Sequence, residues 1–212
     1  AVAQTRAADR SGIYDKGIMQ LSSNESARGP GPNTIAALHS HVTKRVGMGY
    51  APDHVNELRD GIANYYKLTT ANVQLATGST PLLQGSVRAF CSADKKFVTP
   101  MPTYSTSLST ARQIGAGVEV QSLDSSLAVD LDALAAAAPG AGMLYLCNPN
   151  NPTGTIHGPG AVERFVRRVM REVPATMIHI DEAYINYAEA GAMETAVPLA
   201  MEFENVFITR SF

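Results

Sequence analysis

Four short segments of this chain carry residue types that could act together on one ligand. Gly78-Ser79-Thr80 lies where an apolar run gives way to a helical pattern. Free backbone N–H groups at a helix start, with two hydroxyls beside them, make an anion site. A plain helix cap uses the same residues, and Pro81 supports the helix start only. Tyr104 follows the apolar run Lys96–Thr99 and the turn Pro100-Met101-Pro102. A ring there can stack on a planar heteroaromatic ligand, or be a core tyrosine with a satisfied hydroxyl. Asn148-Pro149-Asn150-Asn151-Pro152-Thr153-Gly154 is a loop stiffened by two prolines and a glycine. Such a loop can hold an amide side chain in a fixed direction, and a plain turn would not need so many rigid residues. Asp181 ends the run Met177-Ile178-His179-Ile180, and Tyr184 follows three residues on. A carboxylate at that place can keep a pyridine nitrogen protonated, which turns the ring into an electron sink. Capping the next segment and binding magnesium are the other uses of such an aspartate. The Tyr184 phenol and the Asn151 amide could both reach a phenolate oxygen on the same ring. A phosphate cradle, an aromatic platform, an amide donor and a carboxylate–phenol pair together suit pyridoxal phosphate.

These segments need a scaffold that brings them to one edge. Apolar runs at Val73–Ala76, Lys96–Thr99, Val118–Val120, Met143–Cys147, Met177–Ile180 and Val206–Thr209 read as strands. Between them, Pro81–Phe90, Thr103–Ile114, Leu131–Ala138 and Pro159–Glu172 read as helices. Ahead of these, Asn33 is expected to cap a helix carrying Ile35, Leu38 and Val42, closed by Gly47 and Gly49. Asp53 is expected to open another, with Val55, Leu58, Ile62 and Tyr65 at helical spacing. The alternation predicts an α/β fold in three layers, a mainly parallel sheet with helices on both faces. Ligands gather at the carboxyl ends of such strands, and all four segments fall there. Residues 1–32, rich in turn formers, read as an N-terminal arm. Residues 33–212 read as one large domain.

Composition narrows the partners. A 212-residue chain with 45% hydrophobic residues can bury a substantial core. A net charge of -2 without a basic stripe argues against nucleic acid. No apolar run reaches the roughly 18–20 residues a bilayer span needs, and no signal-peptide pattern precedes the domain. No membrane partner is expected. The cytoplasm is the default location, with an exported mature form left open because the chain starts at Ala1. Cys91 and Cys147 lie in apolar stretches and read as buried free thiols. No zinc spacing occurs, and no metal is expected. His39 and His41 point away from each other on a helix and read as surface residues. Lys95-Lys96 reads as a solvated pair.

In this order the four segments resemble those of the fold-type-I pyridoxal-phosphate aminotransferases of classes I and II, and most of all the histidinol-phosphate aminotransferase group. The resemblance runs from about Leu21 to Phe212 and rests on Asn150-Asn151-Pro152-Thr153-Gly154 followed by Asp181-Glu182-Ala183-Tyr184. It implies that Gly78, Ser79 and Thr80 form the phosphate cradle and that Tyr104 stacks on the cofactor. Asn151 and Tyr184 would donate to the phenolate oxygen, and Asp181 would partner the pyridine nitrogen. Asp181 and Tyr184 would carry the catalytic role. Ser211 would be a further phosphate ligand. Tyr50 would reach the phosphate of the neighbouring subunit, which implies a homodimer with shared active sites. Asn24, in the Leu21–Glu25 arm that closes over substrate, would touch it, with Arg28 nearby.

The implied reaction is transamination of an amino acid or amino-phosphate to a 2-oxo acid or related carbonyl compound. Its partners are a small amino donor and a 2-oxo acid acceptor. A pyridoxal-phosphate decarboxylase or lyase uses the same cofactor residues. An aminotransferase-like effector-sensing domain is a third use, but it comes with a basic helix-turn-helix, and no basic helix stands here. Lys16, Lys44, Lys67, Lys95 and Lys96 do not match the context of the family's Schiff-base lysine. That lysine is expected just after Phe212, as are the C-terminal small domain and its carboxylate-binding arginine. Thr80-Pro81 stands where close relatives carry acidic residues. The 212 residues alone would then be a non-catalytic part of a longer polypeptide.

Overall fold

The computed structural model describes residues 23–24, 29–42 and 54–211. Tyr50, Arg28, Lys16, Lys44, Asp53, Gly47, Gly49, Phe212 and the Leu21–Glu25 arm other than Ser23 and Asn24 lie outside the described residues. The chain divides into two compact units, Ala1–His54 and Val55–Phe212. In the first, helix α1 spans Pro32–His41. Gly31 is its N-cap, not Asn33, because Pro32 takes a first-turn position where its missing N–H goes unmissed. Ile35, Leu38 and Val42 are exposed, as are His39 and His41.

The second unit holds α2 (His54–Tyr66) from Val55 onward and α3 (Thr80–Phe90). The chain then alternates through β1 (Lys96–Met101), α4 (Thr106–Gln113), β2 (Val118–Ser122), α5 (Leu131–Ala136) and β3 (Ala141–Cys147). It continues with α6 (Pro159–Glu172), β4 (Met177–Asp181), α7 (Val197–Glu202) and β5 (Val206–Thr209). The strands form one sheet in the order β2-β1-β3-β4-β5, and every pairing is parallel.

Period-two alternation sorts the strand side chains into two cores. Val98, Leu144, Leu146, Ile178 and Ile180 pack on one face with Leu134, Phe165 and Val169 of α5 and α6. Phe97, Met143, Tyr145 and Cys147 pack on the other with Leu83, Val87 and Leu108 of α3 and α4. The expected three layers are present. In α6 the buried residues Val162, Phe165, Val166 and Val169 fall at helical spacing. Its polar side carries Arg167, which pairs with Glu163 at 2.8 Å and Glu202 at 2.6 Å.

Three further expectations need correction. Val73–Ala76 is not a strand. Among the described residues no neighbouring strand offers it a ladder, and Thr69 and Asn72 close a capped 3-10 turn just before it. Helix α4 starts at Thr106, not Thr103. Thr103 is buried, and its hydroxyl donates to Asn150 Oδ1 at 2.7 Å, which holds it outside the helix. Lys96 is the first residue of β1 and pairs with Glu119 at 2.5 Å instead of being simply solvated. Helix α7 had no counterpart in the sequence reading. Both cysteines are free and buried, as expected. Among the described residues no helix is long and apolar enough to cross a membrane.

The direction of α3 decides where its N-terminus lies. A Cβ on Gly142, near the amino end of β3, would come within 2.0 Å of the Phe90 carbonyl oxygen at the end of α3. The end of α3 therefore abuts the amino edge of the sheet. Its eleven residues rise about 16 Å, which carries Ser79 and Thr80 toward the carboxyl edge.

Candidate active site

The carboxyl edge gathers the loops after β1, β3, β4 and β5. The sheet order reverses between β1 and β3, since β2 lies on one side of β1 and the later strands on the other. A crevice at such a reversal is the usual ligand position in open α/β sheets. Tyr104 follows β1 and has 36% of its surface exposed, so it is no core tyrosine. Ser79 and Thr80 open α3 with no side-chain cap. No acceptor among the described residues takes their N–H groups. Gly78 has φ +75, with open space where a Cβ would stand, a conformation that suits glycine.

The three asparagines after β3 divide the work. Asn148 donates to the His157 carbonyl at 3.0 Å and accepts from the His157 N–H at 2.9 Å, which closes the loop. Asn150 accepts from Thr103 and donates to the Pro102 carbonyl at 3.1 Å and to the Thr153 hydroxyl at 2.8 Å. It ties the β3 loop to the β1 loop. Asn151 is left over, and its amide points at the Tyr184 hydroxyl across 3.5 Å. The pairing of Asn151 with Tyr184 places an amide donor and a phenol side by side.

Asp181 ends β4 between Cys147 of β3 and Thr209 of β5. It is 2% exposed. Tyr145 donates its hydroxyl to Oδ2 at 2.8 Å. Thr209 donates to Oδ1 at 3.0 Å, and the Ala183 N–H to the same oxygen at 3.3 Å. Burial pushes the carboxyl above its ordinary range, and the three donors pull it back. Tyr184, not Asp181, caps the following 3-10 turn. Among the described residues no group of three or more His, Cys, Asp or Glu side chains could hold a metal ion.

Glu182 is also buried, and burial raises its carboxyl. It accepts from the Ala196 N–H at 2.6 Å and the Thr195 hydroxyl at 2.8 Å, ahead of α7. Arg210 stands 4.0 Å from it, donates to Tyr66 and Asn186, and lies over the Tyr66 ring. This anchor fixes the chain just before the exposed Ser211. Asn24 belongs to the other unit and has φ 52. Sequence reasoning missed Tyr145, Thr209, His179, Glu182 and Arg210. Strand register would have found the first three, since residues paired or two apart share a face.

The chain is 30% identical over 204 residues to a histidinol-phosphate aminotransferase of Limosilactobacillus fermentum, covering 95% of this chain and 56% of the relative. It is 32% identical over 205 residues to an aromatic amino acid aminotransferase of Nocardia farcinica, again covering 95% and 56%. A histidinol-phosphate aminotransferase of Sinorhizobium meliloti, solved in complex with pyridoxal-5'-phosphate, superposes with a TM-score of 0.77 at 26% identity, covering 90% of this chain and 50% of that one. The chain therefore spans about half the length of the relatives it matches. The family model for aminotransferase class I and II matches residues 16–212. The chain belongs to the class I and II aminotransferase family.

Proposed function

We propose that this chain is the cofactor-holding part of a pyridoxal-phosphate-dependent aminotransferase. The observation that carries the reading is Asp181, a carboxylate buried at the carboxyl edge and held by donors on both oxygens. Nothing in the packing of a sheet needs a buried anion there, and a ring nitrogen bearing a proton does. The other residues fit the same ligand. Ser79 and Thr80 offer free N–H groups and hydroxyls to a phosphate. Tyr104 offers an exposed ring face. Asn151 and Tyr184 offer an amide and a phenol to the ring's phenolate oxygen.

When bound, pyridoxal phosphate supplies an electron sink for a carbanion at the substrate's α-carbon. The chain's own residues do the rest. Asp181 would accept the ring N–H, the Ser79–Thr80 helix start and Ser211 would hold the phosphate, and Tyr104 would stack on the ring. Residues 33–212 would form the large domain, and residues 1–32 the arm that brings Asn24 to the substrate. The reacting lysine is proposed just after Phe212, in the complete polypeptide. Relatives named for histidinol phosphate and for aromatic amino acids support an amino acid or amino-phosphate donor with a 2-oxo acid acceptor. A homodimer in which Tyr50 reaches the partner's phosphate completes the proposal.

The test is an absorbance titration of the complete polypeptide with pyridoxal phosphate, followed by an assay of amino-group exchange. Saturable binding with amino-group exchange is expected. Carbon dioxide release without exchange would move the assignment to a decarboxylase.

A further inference from the structure

Asp181 stands in a hydrogen-bonded row of four side chains from three adjacent strands: Tyr145 of β3, Asp181 and His179 of β4, and Thr209 of β5. The direction of each bond follows from counting protons. Thr209 has one hydroxyl proton and gives it to Asp181 Oδ1 at 3.0 Å. Its 2.9 Å contact with His179 Nε2 is then a donation by the histidine. His179 is thus a neutral ring with its proton on Nε2, and its Nδ1 lone pair has no partner. Protonating Nδ1 would bury both a charge and an unpaired N–H. The ring is fully buried, stacked on Phe207 at 4.4 Å and edge-on to Tyr145 at 5.3 Å.

The acceptor count matters as much. Oδ1 takes two donors, Thr209 and the Ala183 N–H. Oδ2 takes one, Tyr145. A carboxylate oxygen accepts along two lone-pair directions, so one direction stays open on Oδ2. The titratable groups around Asp181 are Tyr145 and Cys147 from β3, His179 and Glu182 along its own segment, and Arg210 beyond β5. The Arg210 cation lies against Glu182. Among the described residues no cation pairs with Asp181. Its charge is held by neutral donors alone, which leaves it uncompensated for a cationic ring.

We propose that Tyr145, Thr209 and His179 are positioning residues that keep Asp181 anionic and leave one lone pair of Oδ2 as the acceptor for the cofactor's ring N–H. The proposal rests on the pyridoxal-phosphate reading for its ligand, and on the hydrogen-bond row for its geometry. Tyr145→Phe and Thr209→Val each delete one donor and keep the shape. Thr209→Ser keeps the hydroxyl.

Three readouts test it in the complete polypeptide: carboxyl NMR titration of Asp181 without cofactor, pyridoxal-phosphate affinity by absorbance, and nitrogen NMR of His179. Tyr145→Phe and Thr209→Val are each expected to make Asp181 about tenfold weaker as an acid and to weaken cofactor binding about tenfold. Thr209→Ser should match the parent within about twofold on the same scale. Nitrogen NMR should find the His179 proton on Nε2 at neutral pH. The proposal is overturned if both donor deletions titrate and bind like the parent, if Thr209→Ser is as impaired as Thr209→Val, or if the proton sits on Nδ1. Should the parent not bind pyridoxal phosphate at all, the cofactor reading fails, and the carboxyl titration still decides whether the row controls Asp181.

Discussion

At the scale of single residues, the site sets function against stability. The folded carboxyl of Asp181 is shifted upward by burial, so the folded state keeps its proton to higher pH than the unfolded chain does. The stability this gives is present at low pH and is lost as pH rises through the folded value. The ionised form at neutral pH is therefore a burden on the fold. Asp181→Asn is expected to leave the cofactor-free protein at least as stable at pH 7, measured by urea unfolding, while amino-group exchange falls about a hundredfold or more. His179 has the opposite sign. Burial pushes it down to about 3, below its ordinary 6.5, so the unfolded chain takes the proton first. Its contribution is complete above pH 6.5 and is lost as pH falls toward 3. His179→Gln should flatten the slope of unfolding free energy between those values; an unchanged slope would refute the assignment. Asp181, Asn151 and Tyr184 were legible in the sequence, because their spacing about a strand end carries the motif. Tyr145 and Thr209 were not, because they reach Asp181 across register from residues 36 and 28 positions away.

Among elements, α3 is the part most exposed to a single atom. Gly142→Ala would drive a Cβ to 2.0 Å from the Phe90 carbonyl, and both sides are backbone. A loss of roughly 3 kcal/mol or more is expected from overpacking, with weaker phosphate binding because the whole helix must shift. Gly85→Ala, on the exposed side of the same helix with nothing within 4 Å, should instead gain about 0.5–1 kcal/mol. Equal effects of the two changes in urea unfolding would contradict this account of α3. The strands Lys96–Met101 to Val206–Thr209 were readable because each is an apolar run between helical patterns. The run Val73–Ala76 looks the same but finds no strand to pair with among the described residues, and pairing is not written in a run. Helix α7 escaped for a related reason. The N–H of its cap residue Ala196 is satisfied by Glu182, fourteen residues upstream, so no local cap announces it.

For the whole molecule, one parallel sheet closed on both faces accounts for the core, and the polar edge accounts for the ligand. Val55 and Leu58 of α2 remain apolar and exposed, which fits the proposed pairing with a second copy. Leu58→Glu is expected to shift the complete protein from dimer toward monomer in sedimentation, and an unchanged dimer would remove α2 from the interface. The parallel sheet was legible from alternation alone, whereas the pairing of copies rests on resemblance, since Tyr50 lies outside the described residues. The central claim is that these residues present pyridoxal phosphate to a lysine just beyond Phe212. The most direct test is to load the complete polypeptide with pyridoxal phosphate, reduce it with borohydride, and map the adduct by peptide mass. The account expects a single phosphopyridoxyl group on the lysine that follows Ser211-Phe212. No adduct, or one on Lys67, Lys95 or Lys96, would contradict it.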